Sequence, residues 1–141
     1  MNRQIELTIR GLHAEEGTAG TPMETIVQAE YFKKNDSHYL FFEEMQEDTK
    51  QPSKSRIKFK TGLVELTRQG VVDTHMIFEE GRKHMSHYTM PYGEMLLGID
   101  TKRVSLKEQE DRIWVEIDYS LEIEGEHQSD SRIELFMRDP I

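Results

Sequence analysis

The sequence predicts an all-β protein: a single antiparallel up-and-down β-barrel of about 8–10 strands, with little or no helix. Three observations carry this. Apolar and polar residues alternate with a period of two from near the start of the chain almost to its end. Turn signals interrupt that alternation roughly every 8–12 residues. No segment shows a capped stripe of period 3.6, so a βαβ arrangement is excluded. A meander with short connections removes its unpaired edges only by closing on itself, which favours a barrel over a sandwich.

The elements follow in order. Ile5, Leu7 and Ile9 alternate with Gln4, Glu6, Thr8 and Arg10 in a first strand. Residues 15–22 read as a loop, then residues 25–31 are extended again with Val27, Ala29 and Tyr31 on one face. Asn35-Asp36 supplies a turn into a strand over 39–43. Residues 46–53, polar and containing Pro52, read as the longest loop. Strands follow over 56–60 with Ile57 and Phe59 on one face, over 63–69 after Thr61-Gly62, and over 74–78 after Gly70. Glu79-Glu80-Gly81 is a hairpin signal leading into 83–89, and Pro91-Tyr92-Gly93 breaks the chain before 94–101. The clearest strand carries Ile113, Val115, Ile117, Tyr119, Leu121 and Ile123 in strict alternation. Gly125-Glu126-His127 turns it into a last strand with Ile133, Leu135 and Met137.

One domain over 1–141 accounts for this length, which is enough to bury one core. The charge balance is 18 Lys plus Arg against 27 Asp plus Glu, a formal net charge of −9. Such a chain repels phosphate backbones and anionic lipid surfaces, so neither nucleic acid nor membrane is expected as a partner. There are no cysteines, which excludes disulfides and thiolate chemistry. The N-terminal residues show no apolar signal region, and no run approaches the roughly 18 apolar residues of a membrane helix. The expectation is a cytoplasmic protein.

Arg68-Gln69-Gly70 before a short strand, Tyr88-Thr89-Met90-Pro91-Tyr92-Gly93, Asp100-Thr101, and the late strand over 113–121 with Tyr119 inside it resemble the bacterial YwiB-like family. The resemblance covers essentially the whole chain. It implies a calycin-type barrel, related in shape to lipocalins and fatty-acid-binding proteins, and it implies no activity. The Gly-x-Trp signature of secreted lipocalins is missing, since the single tryptophan is Trp114, so lipocalin function does not carry over.

Alternation directs Val64, Leu66 and Arg68 inward, and puts Tyr39, Glu43, Tyr88, Tyr119 and Thr101 on the apolar faces of their strands. These six polar residues form the expected ligand-binding set: Arg68, Tyr88, Tyr119, Tyr39, Glu43 and Thr101. The leading expectation is a small amphipathic or anionic ligand in the barrel lumen, its carboxylate or phosphate held by the planar fork of Arg68. The competing account has Arg68 paired with Glu43, or simply sitting at the barrel rim beside Gly70, since a buried guanidinium needs a partner in any case.

Histidine gives no metal motif: His84 and His87 lie three apart, on opposite faces of a strand, and no cofactor is implied. Lys54, Arg56, Lys58 and Lys60 form a basic stripe read as a solvated outer face neutralised by neighbours, mirrored by Glu116, Asp118, Glu122 and Glu124. Trp114 falls on the polar parity of its strand, to be packed under a loop or to serve a partner. Leu40 and Phe42 make their strand apolar on both faces, which suits a homodimer interface or a lid. No nucleophile elbow, zinc-protease motif or phosphate loop occurs, and adjacent carboxylates such as Glu43-Glu44 point opposite ways on a strand, so enzymatic activity is not expected. The alternative function is a protein-interaction module with a filled core, acting through Trp114, the basic stripe and the strand over 39–42.

Overall fold

A computed structural model describes residues 4–11, 24–44, 52–70 and 73–139. The expected loop over 15–22, and most of that over 46–53, lie outside the described residues. Ten strands follow one another: β1 (Gln4–Arg10), β2 (Glu24–Lys34), β3 (Ser37–Glu44), β4 (Ser53–Lys60), β5 (Leu63–Gln69), β6 (Asp73–Glu79), β7 (Arg82–Met90), β8 (Gly93–Glu108), β9 (Arg112–Ile123) and β10 (Glu126–Arg138). Each pairs antiparallel with its sequence neighbour, and β1 pairs with β10, so the sheet closes into a barrel. Among the described residues there is no helix, and so none long and apolar enough to cross a membrane.

The turns sit where the chain supplies residues that tolerate a left-handed backbone. Asn35 has φ 58° between β2 and β3, and Gly81 has φ 79° between β6 and β7. The alternation then sorts each strand into two faces. Leu7, Leu40, Ile57, Phe59, Phe78, Ile99, Ile117, Ile133 and Met137 all point inward and are essentially without solvent contact. The described interior is therefore packed with apolar side chains, as is usual for small barrels.

Three features interrupt the regular wall. The β2–β3 ladder runs from Lys34↔Ser37 only to Glu30↔Phe41, so the first half of β2 and the end of β3 diverge. The β6–β7 ladder is reduced to Asp73↔Thr89 and Thr74↔Tyr88, with the Ser86 hydroxyl donating to the His75 carbonyl beside them. A bulge at Lys102 in β8 shifts the register between Thr101 and Arg103. Upstream of it Leu97, Ile99 and Thr101 are buried, and downstream Val104 is, so the inward parity changes from odd to even.

Candidate functional site

The six residues expected to share one ligand site separate into three places. Arg68 and Tyr88 belong to one inward row at the end of the barrel where β3, β5 and β7 finish. Cross-strand register runs from Phe42 to Ser55, Arg68, Thr74, Tyr88 and Met95 over β3 to β8. Thr101 and Tyr119 are also inward and directly paired, but Thr101 stands opposite Arg82, six residues along β7 from Tyr88. At about 3.3 Å per residue that is about 20 Å along the strand. Tyr119 packs edge-on against Phe78 with ring centroids 5.1 Å apart, as part of the core. Tyr39 and Glu43 point outward, which corrects their assignment to the apolar face. Register pairs Leu40 with Ile57 and Phe42 with Ser55, so Leu40 and Phe42 take the inside and the residues between them face solvent.

Arg68 is held by polar neighbours on β3 and β4. Its side chain is 13% exposed and its Nη2 lies 3.6 Å from Glu44 Oε1. Its Nε donates to Ser55 Oγ at 3.5 Å. The carboxylate partner is thus Glu44, not the expected Glu43, because the inward parity of Phe42 carries on to Glu44. At the register partners of Glu44 and Arg68 the hydroxyls of Ser53 and Thr74 are buried without a hydrogen-bond partner among the described residues, as are those of Thr67 and Thr101. Gly70 makes room for this cluster: a Cβ there would meet Ser53 Oγ at 2.6 Å. Buried hydroxyls left unmet are costly unless something polar reaches them.

The divergence of β2 from β3 creates a wedge beside that cluster. This cavity of about 450 Å³ is lined by the inward-facing Ala29, Phe42 and Ser55 and by Gln28, Glu30, Phe41, Glu43 and Lys54 at its outer lip. Ser55, which accepts from Arg68, lines the wedge, while Arg68 itself lines a second cavity of about 500 Å³ with Thr74, His75, His87 and Thr89, so Ser55 is the link between the two. Sequence reasoning found Arg68 but missed Ala29, Phe42, Ser55 and Glu44. The readable signal was Ser53 and Ser55, two hydroxyls on the same parity as Ile57 and Phe59.

The opposite end of the barrel is closed by a second polar group that the sequence did not reveal. His38 is 2% exposed, stacks on Phe59 with centroids 4.6 Å apart, and shares a 2.7 Å hydrogen bond between Nδ1 and the Tyr31 hydroxyl. Its Nε2 lies 3.5 Å from Glu108, which Lys33 pairs at 3.2 Å. Burial, with the Glu108 charge adding, pushes the Tyr31 hydroxyl up to about 12. Burial holds the His38 imidazole below its ordinary range, opposed by Glu108.

On the outer surface the basic and acidic rows differ. Three of the four acidic residues are matched: Arg103 reaches Glu116 and Asp118 at 3.0 Å each, Arg132 reaches Asp118 at 2.7 Å, and Lys83 reaches Glu122 at 2.6 Å, while Glu124 accepts from the Leu96 N–H. Of the basic stripe only Arg56 has an ion pair among the described residues, with Glu65 at 3.9 Å. The expectation of a neutralised stripe therefore holds for one of its four cations. Trp114 is half-buried against Phe136 on the neighbouring strand, centroids 5.0 Å apart. Among the described residues no group of three metal-ligating side chains converges.

A closed ten-stranded antiparallel barrel is the class these observations define. The chain belongs to the family described as a domain of unknown function, DUF1934, whose profile matches residues 7–135. Among solved structures it is similar to the YwiB protein of Bacillus subtilis, with a TM-score of 0.78 and 20% sequence identity over 99% of this chain and 93% of that one. That likeness establishes the fold. No curated protein matches the sequence.

Proposed function

We propose that the protein binds a small amphipathic anion in the wedge between β2 and β3, with its head group at Arg68 and its apolar part against Ala29 and Phe42. The observation that carries this is the hydrogen bond from Arg68 to Ser55 in the wall of the apolar wedge, with buried hydroxyls of Ser53 and Thr74 that lack a partner among the described residues. The site lies at the barrel's end and flank because apolar side chains occupy the interior. A carboxylate or phosphate would receive charge-assisted hydrogen bonds from the guanidinium and hydrogen bonds from Ser53 and Thr74. Glu44 competes with the ligand for Arg68, so removing its charge favours binding. That makes affinity sensitive to Glu44 in a direction that a purely structural ion pair would not produce.

Calorimetric titration with octanoate, alongside a native mass spectrum of the purified protein, tests this. Octanoate should bind in preference to inorganic phosphate. Arg68→Met and Ala29→Leu should each weaken it by about tenfold, equivalent to about 1.4 kcal/mol. Glu44→Gln should tighten it. Octanoate affinity unchanged by Arg68→Met would rule out the guanidinium as the anchor.

A second reading, an interaction module working through its outer surface, is favoured by the packed interior together with exposed aromatic residues on β2 and β3.

A further inference from the structure

Cross-strand pairing sets Phe32 opposite Tyr39, and Tyr39 opposite Lys58, on the outside of the barrel. Phe32 stacks on Tyr39 with centroids 4.7 Å apart and planes 13° from parallel, and on Phe41 at 5.8 Å and 16°. Phe32 remains 44% exposed and Phe41 38%. Large aromatic side chains grouped in water cost solvation free energy that an isolated exposed residue does not multiply, and such groups mark contact surfaces. Beside them runs β4, whose outer residues Lys54, Lys58 and Lys60 have no carboxylate within ion-pair distance among the described residues. Lys58 instead holds its ammonium 5.6 Å from the Tyr39 ring centroid.

We infer that the outer face of β2, β3 and β4 is a docking surface for an acidic protein segment carrying apolar side chains between its carboxylates. Charge complementarity selects this occupant. The molecule has a formal net charge of −9, yet this face concentrates cations that its own carboxylates leave unpaired. A second copy of the chain is a poor complement, because its acidic row on β9 is already engaged by Arg103, Arg132 and Lys83. A single-stranded nucleic acid would need free ring faces on which bases stack. Here the rings are nearly parallel and face one another, with Lys58 over Tyr39, so the patch presents ring edges. Edges of aromatic rings suit aliphatic and aromatic side chains, and the flanking lysines speed and orient the encounter with carboxylates. The apolar centre with a charged margin is the arrangement of a protein contact.

The test is selection of a random 12-residue display library on the immobilised whole protein, with counter-selection on the triple variant Phe32→Ser, Lys58→Glu, Lys60→Glu. All three positions are on the outer surface, and an unchanged thermal midpoint verifies that the variant is folded. Enriched peptides should combine Asp or Glu with Leu, Ile, Phe or Trp, and should lose affinity with added salt. They should bind the triple variant at least tenfold more weakly, and Ala29→Leu and Arg68→Met as tightly as the parent, which separates this face from the wedge. Failure to enrich any peptide, enrichment of neutral or basic sequences, or retention on the triple variant would each overturn the inference. A 15-nucleotide oligo(dT) that binds the parent and not the triple variant would assign the face to nucleic acid instead. Concentration-dependent dimerisation abolished by the triple variant would assign it to a second copy.

Discussion

Two residues at the closed end of the barrel tie its stability to pH in opposite directions. His38 is buried against Phe59 and Tyr31, and its folded-state pKa lies below the ordinary value of 6.5. Lys33 and Glu108 are the charges that face it, the first depressing its pKa and the second raising it. Because the unfolded chain takes up the proton more readily, the stabilisation is fully present above pH 6.5 and is lost as pH falls toward the folded pKa. Tyr31 behaves oppositely at the alkaline side: its hydroxyl is raised from 10.0 to about 12, so its contribution is complete below pH 10 and declines above it. Urea midpoints measured between pH 7 and pH 5 should fall more steeply for the parent than for His38→Gln, which keeps polar groups but cannot take up a proton. Parallel slopes would show that other groups control the acid limb. Arg68 sits in a different balance. Its partner Glu44 is 26% exposed, so loss of the ion pair in Arg68→Met should lower stability by only about 1 kcal/mol. That leaves the binding experiment on the same variant readable.

At the scale of the strand, what the sequence revealed depended on whether one face was unambiguous. In β9 the residues Ile113 to Ile117 alternate with charged or bulky outer residues, and the strand lies as expected. In β3 the run Tyr39-Leu40-Phe41-Phe42 is apolar on both parities, and nothing within one strand says which faces in. The cross-strand partners Ile57 and Ser55 decide it, and register is a property of two strands. That single parity error moved Tyr39 and Glu43 inside, and hid both His38 and Glu44. In β8 the expected strand stopped at Thr101 because the alternation breaks there, while the actual strand continues to Glu108 through the bulge at Lys102. The bulge makes a deletion prediction. Removing Lys102 leaves Thr101, Arg103 and Val104 consecutive against Tyr119, Asp118 and Ile117, so the ladder becomes regular and Val104 and Leu106 stay inward. Lys102→Ala keeps the residue count and should change stability by less than about 0.5 kcal/mol. Urea unfolding should therefore place both variants close to the parent; a loss of about 3 kcal/mol or more on deletion would mean that the twist the bulge imposes is needed to close the barrel.

Closure of the barrel joins the two ends of the chain. Leu7 pairs with Met137 and Ile9 with Leu135, and Arg138 reaches Glu6 at 2.9 Å. All other ladders connect strands adjacent in sequence, each closed by a short or moderate loop, whereas the β1–β10 ladder needs nearly the whole chain to be ordered first. Loop-closure entropy is therefore largest for that one ladder, and its contacts are favourable only after the others exist. The edges of β1 and β10 stay unpaired until then, which leaves the partly folded chain open to association through them. The order of events can be read from rates. Leu7→Ala in β1 and Ile57→Ala in β4 each empty a fully buried position and should each cost about 2–5 kcal/mol at equilibrium. They should differ in kinetics. Leu7→Ala should accelerate unfolding and leave folding almost unchanged, because its contacts form after the transition state. Ile57→Ala, between the local ladders of β3 and β5, should slow folding as well. Stopped-flow folding in urea measures both limbs. A folding limb slowed as much by Leu7→Ala as by Ile57→Ala would mean that the ends of the chain meet early and that closure nucleates the barrel instead of completing it.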